Sequence, residues 1–154
     1  MKISNETETV LLGSLGWSHL AWRDAFYPAD MPAEWQLTFF NTQFHCVFLR
    51  REDWQQVSAS ERSQWHADTH DLFRFLLEGD DTQPVPEELA GKAVVLSPDA
   101  SEILWFTRDS SLKELAASLS GGAGPKPSYL ISRDADLGQM ERVATLLEVM
   151  GLGS

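Results

Sequence analysis

Basic residues are scarce in this chain. Twelve Lys and Arg stand against 23 Asp and Glu over 154 residues, a formal net charge of -11. The deficit runs through both halves: ten acids and six bases over residues 1–77 give -4, and thirteen acids and six bases over 78–154 give -7. Nucleic-acid binding by phosphate neutralisation needs clustered Lys and Arg, so it is disfavoured. Docking to an anionic membrane fails for the same reason. Arg50 and Arg51 are the nearest approach to a cluster, and Glu52 and Asp53 offset them at once. Cysteine is almost absent. Cys46 stands alone, which excludes an intramolecular disulfide and any CxxC metal or redox motif and fits a reducing compartment. No apolar run approaches the roughly 20 residues of a membrane span, and the first residues carry Glu6 and Glu8 where a secretory leader needs a basic start. A cytoplasmic location is therefore expected. Repeats and compositional bias are also missing, which removes solenoids, collagen and coiled coils.

What is present is an ordinary globular composition, 43% hydrophobic and 10% aromatic, in a chain long enough to bury a core as one domain. Thr9 to Leu12 reads as a strand ending in a glycine loop, Gly13-Ser14-Leu15-Gly16. Short helices are expected around His19 to Ala25 and Ala33 to Asn41, and a second strand over Phe44 to Leu49. Ser58-Ala59-Ser60-Glu61 and Ser111-Leu112-Lys113-Glu114 have capping-box spacing and predict helix starts. The first of these helices is expected to reach about His70. Leu72 to Leu77 predicts a strand, because its aromatics lie two apart. The stretch 78–88, with five acids, two prolines and no base, reads as a solvated connection. Ala93 to Leu96 and Ile103 to Thr107 flank Ser97-Pro98-Asp99 and suggest strands around a turn, with a hairpin as one option. Gly121 to Pro125 should stop the second capped helix. Ser128 to Ser132 then predicts a strand, and Asp136 to Met150 an amphipathic helix. The alternation predicts a single α/β domain over 1–154, with a mixed or mostly parallel sheet of about five to seven strands. It falls into a segment 9–77, the connection 78–88 and a second half 92–151.

The segment Gly16-Trp17-Ser18-His19-Leu20-Ala21-Trp22-Arg23-Asp24-Ala25-Phe26-Tyr27-Pro28 resembles the opening of the YecE-like family, domain of unknown function 72. The likeness continues in order through Glu34-Trp35, Phe40-Asn41-Thr42, Phe48-Leu49-Arg50, Trp65 and Phe73-Arg74-Phe75. It covers about the first half. The resemblance implies a TIM-type barrel with no established activity. An intact barrel of that type needs about 200 residues or more, so the chain is expected to form part of one. After Phe40-Asn41-Thr42 the family usually continues with Val-Glu-Ile-Asn, which implies a carboxylate and an amide at the end of the second strand. Here the run is Gln43-Phe44-His45-Cys46, and the Phe-Tyr-Arg that follows becomes Phe48-Leu49-Arg50. A truncated and diverged relative with an impaired pocket is expected.

Candidate chemistry is sparse. His66 and His70 stand at i and i+4, a spacing that puts two rings on one helix face as in zinc sites, but Ala67 occupies the place of the catalytic glutamate in HExxH. They are weak metal candidates, and the plainer alternative is a solvated helix end. His45 beside Cys46 cannot form a nucleophile and base on a strand, since neighbours point to opposite faces. Neither glycine cluster has a phosphate-loop pattern. No cofactor is expected. Trp17, Trp22 and Tyr27 are the stronger candidates: three large aromatics in one loop form either a stacking platform for a sugar or base, an anchor for a protein, or buried core. Ser18, Arg23, Asn41 and Arg50 are the polar groups assigned with them. The function expected is a non-catalytic interaction or accessory protein, as a homodimer or with a protein partner. The rival is a small hydrolase or other enzyme acting on a sugar or phosphate-containing ligand through the aromatic loop, with Arg23, Arg50 and His19 or His45.

Overall fold

The computed structural model describes residues 9–80, 82–121 and 126–153. Of the glycine stop expected over Gly121 to Pro125, Gly121 is described, at φ 77°, and 122–125 lie outside the described residues. Strands β1 (Leu11–Leu15), β2 (Cys46–Leu49), β3 (Arg74–Glu78), β4 (Ala93–Leu96), β5 (Ile103–Phe106) and β6 (Tyr129–Ser132) form one sheet in the order β4-β3-β2-β1-β6-β5. Every pairing is parallel. Placing the last pair of strands beside the first is how an eight-stranded barrel closes. The order here is that ring with two adjacent strands left out between β4 and β5. The fold is thus a single α/β domain with an all-parallel sheet, consistent with part of a TIM-type barrel.

The sheet is curled, as its two faces show. Val94 and Leu96 of β4 and Ile103 and Trp105 of β5 belong to opposite edges, yet they pack into the same inner cluster around Phe48, Leu76 and Ile131. The outer face, including Leu12, Val47, Phe75, Leu77 and Leu130, is covered by helices. These are α1 (Gln36–Gln43), α2 (Arg51–Gln55), α3 (Ala59–Ala67), α4 (Leu112–Leu119) and α5 (Leu137–Met150). Ser58 and Ser111 cap α3 and α4 as the spacing predicts, their hydroxyl oxygens accepting the Glu61 and Glu114 amides at 3.1 and 3.3 Å. Asp136 caps α5 through the Gln139 amide.

Two expectations are corrected. Gly13 sits inside β1 and not in a loop, because the strand passes so close to β2 that a Cβ there would overlap the Cys46 carbonyl. β4 and β5 are not a hairpin. Both run parallel to the rest of the sheet at opposite edges, and residues 97–102 join them through two turns closed by Ala100 N–H to Ser97 O and Ile103 N–H to Ala100 O. A parallel connection between neighbouring strands takes a dozen residues or more. This shorter one is possible because β4 and β5 are not neighbours and the curl brings their edges toward each other.

Candidate functional site

Parallel strands of this architecture present their C-terminal ends as a mouth where side chains from several loops meet. Here the ends of β1, β2 and β6 border a cleft of about 550 Å3, within the roughly 300–1,000 Å3 of small-molecule sites. Gly16 turns the chain off β1 at φ 75°, a conformation that favours glycine. Its N–H donates to Phe48 O at 2.9 Å, and its carbonyl accepts the Ser14 hydroxyl at 2.6 Å. This turn delivers Trp17, Ser18 and His19 to the cleft. Trp17 packs against Trp65 of α3 with ring centres 5.2 Å apart and planes at 88°. The His19 ring stands 3.2 Å from the Gly16 carbonyl and 4.6 Å from the Trp22 ring.

The opposite wall comes from β6. The Arg133 N–H donates to Phe106 O at 2.8 Å, fixing the backbone, while its guanidinium lies 4.3 Å over the Trp105 ring. Trp105 is itself held, donating its indole N–H to Pro98 O at 2.8 Å and meeting Phe48 edge to face. Asp134 accepts the Arg108 and Asp136 amides at 2.9 and 3.3 Å, so its carboxylate organises the loop after β6. Arg50, Asp53 and Glu61 complete the rim from the end of β2, from α2 and from α3. Among the described residues the one ion pair within 4.0 Å is Arg62 with Glu88, at 2.8 Å. Arg50 and Arg133 therefore face the cleft without a carboxylate at ion-pair distance.

Of the residues singled out in the sequence, Trp17, Ser18, His19 and Arg50 line this cleft. Of the three aromatics left open between platform, anchor and core, Trp17 reaches the cleft, while Trp22 and Tyr27 are 1% and 2% exposed and belong to the core. The Trp22 indole donates to Ala135 O at 2.9 Å, and the Tyr27 hydroxyl donates to Trp17 O at 2.6 Å. Burial raises the Tyr27 hydroxyl above its ordinary range, which suits a phenol kept neutral as a donor. Asn41 is also structural: it donates to Thr38 O and accepts the His70 amide at 2.9 Å. Arg23 is exposed outside the cleft lining.

The paired histidines do not share a helix face. α3 ends at Ala67, which leaves His70 beyond it, and the His70 ring lies 5.8 Å from His45. No group of three or more metal-ligating side chains is found among the described residues. Cys46 is fully buried, and burial pushes its thiol far from ionisation. Cys46 opens β2 and Phe44 caps the end of α1 before it, whereas the cleft is built at the far end of the strand by Leu49 and Arg50. The departure from the family pattern at Phe44 and Cys46 is therefore remote from the cleft, contrary to the expected placement. Asp53, Arg133 and Asp134 carry no motif, and Glu61 stands in one only as the last residue of a capping box. The signal that could find Arg133 and Asp134 is their position directly after a strand that ends at the mouth.

Residues 11–82 match the model of a family described as "Protein of unknown function DUF72". This is the stretch that carries the YecE-like resemblance, and the match is consistent with a partial domain of that kind in the first part of the chain. No curated protein and no solved structure gives a significant match. No helix among the described residues is long and apolar enough to cross a membrane.

Proposed function

We propose that this protein works by binding and not by catalysis: an accessory protein of the cytoplasm that holds a small molecule at the mouth of its sheet and pairs with a second copy of itself. The observation that carries the reading is how the reactive groups at the cleft are spent. The Ser18 hydroxyl donates to Gln36 Oε1 at 3.2 Å, the His19 ring meets a backbone carbonyl, and Asp134 is engaged by backbone amides. No nucleophile and base stand in hydrogen-bond contact there, the arrangement covalent hydrolysis needs. What the cleft offers instead is an aromatic wall and unpaired guanidiniums, which recognise without reacting.

Pairing with a second copy is supported by the sheet edges. β4 (Ala93-Val94-Val95-Leu96) and β5 (Ile103-Leu104-Trp105-Phe106) are short edge strands that end the sheet without a charge, proline or bulge, three of the devices that protect an edge. The enzyme reading keeps one favourable observation, the two rim carboxylates Asp53 and Glu61. Incubating the protein with a ligand it retains separates the two. Recovery of that ligand chemically unchanged supports binding alone, and conversion that stops in Asp53→Asn or Glu61→Gln would establish catalysis.

A further inference from the structure

We infer that the ligand of this cleft is a polyhydroxylated ring, a sugar, recognised by an indole face and by hydrogen bonds from groups of both charge signs. The inference rests on the proposed binding role of the cleft and supplies its ligand class. A simple anion site would show an excess of cations, but Arg50 and Arg133 are outnumbered here by Asp53, Glu61 and the amide-bound Asp134. Such a set suits a ligand whose polar groups both donate and accept. Hydroxyls do so, giving a proton to carboxylates, which only accept, and receiving one from guanidiniums, which only donate. The other half of the argument is Trp17, half-buried at the cleft wall with one ring contact, to Trp65. A flat apolar surface beside charged hydrogen-bonding groups fits a molecule with C–H bonds on one face and hydroxyls around its rim. The groups are also fixed in advance, Arg133 by its seat on Trp105 and Trp17 by Trp65 and the Gly16 turn. Pre-set side chains lose less freedom when they bind.

The test is a titration of 15N-labelled protein, following the six tryptophan indole N–H signals, with the methyl glycosides of glucose, galactose, mannose and N-acetylglucosamine. Glucose 6-phosphate and inorganic phosphate serve as anionic probes. At least one neutral glycoside should move the Trp17 signal saturably, while the buried Trp54 indole, bonded to Glu78 O, stays still. Asp53→Asn should weaken that glycoside tenfold or more with the spectrum otherwise unchanged, and Trp17→Phe should weaken it less than Trp17→Ala. Movement with the phosphate probes alone would overturn the sugar class. So would silence toward every glycoside in a folded protein. If that silent protein still retained a different small molecule in native mass spectrometry, the binding role would survive. Release of methanol from a bound glycoside would instead keep the ligand class and overturn the non-catalytic reading.

Discussion

Trp17 and Trp65 meet at a right angle, 5.2 Å between ring centres, and this contact ties the loop after β1 to α3 across the mouth of the sheet. Trp65 is 7% exposed and stacks near Phe75, so it anchors Trp17 to the core. Ligand affinity and loop order should therefore fall together in Trp65→Ala, as ligand titration and amide exchange of residues 16–19 would report. Unchanged exchange there would contradict the anchoring role.

The two tryptophans of the aromatic loop should behave differently on truncation. Trp22 is buried and its indole hydrogen-bonded, so Trp22→Ala should cost about 3–5 kcal/mol, the range for large core aromatics. Trp17→Ala leaves a smaller cavity beside open space and should cost less, while removing the ligand. Urea denaturation of both variants checks the order, and equal losses would count against the division between core and cleft.

At Gly13 the tolerance for any side chain should be very low. The overlap of a Cβ with the Cys46 carbonyl sets two backbones against each other, and neither can move without breaking the β1–β2 register. Gly13→Ala should lose more than the about 1–3 kcal/mol typical of overpacking, seen as a collapsed urea midpoint or insoluble expression.

How much of this was legible beforehand depended on whether the cause was local. Ser58 and Ser111 announce their helices because a cap is a contact across three residues, and the alternating strands and helices follow from short-range pattern in the same way. The turn residues Ser97-Pro98-Asp99 were equally readable, but whether the strands on either side pair depends on strands distant in sequence, so the hairpin option failed. Burial within the loop was hidden for a related reason. Trp17 and Trp22 look alike in a segment without periodicity, and only the Gly16 turn and the helices around it decide which ring faces the core. Arg133 joined the cleft because β6 pairs with β1, a contact no local motif encodes.

Lys92 is 5% exposed, with its ammonium 2.7 Å from His66 O and 2.6 Å from Thr69 O. It thereby satisfies carbonyls at the C-terminal end of α3. Lys92→Met keeps the stem and leaves those carbonyls without their donor, and should destabilise the protein by about 1–3 kcal/mol. A urea midpoint equal to that of the wild type would show that water replaces the ammonium at no cost.

His45 gives the stability a defined pH dependence. Burial, and then repulsion from His70, lower its pKa in the folded protein, so the unfolded chain takes up a proton first as the pH falls. Stability should be full above the ordinary histidine value of about 6.5 and decline below it, with the loss complete once the pH has passed the lowered folded value. His45→Gln should flatten this segment of the curve in urea titrations between neutral and mildly acidic pH. His70→Gln should raise the His45 value, read from its ring proton shifts.

The central claim is that the protein pairs with a second copy of itself and holds a small molecule at the mouth of its sheet. Native mass spectrometry of untagged protein, purified gently from its own type of host, tests this most directly, because one spectrum reports subunit count and retained mass together. A dimer carrying a reproducible small polar mass, lost in Trp17→Ala while the dimer persists, is the predicted result. A bare monomer at micromolar concentration, identical in the wild type and the variant, would contradict it.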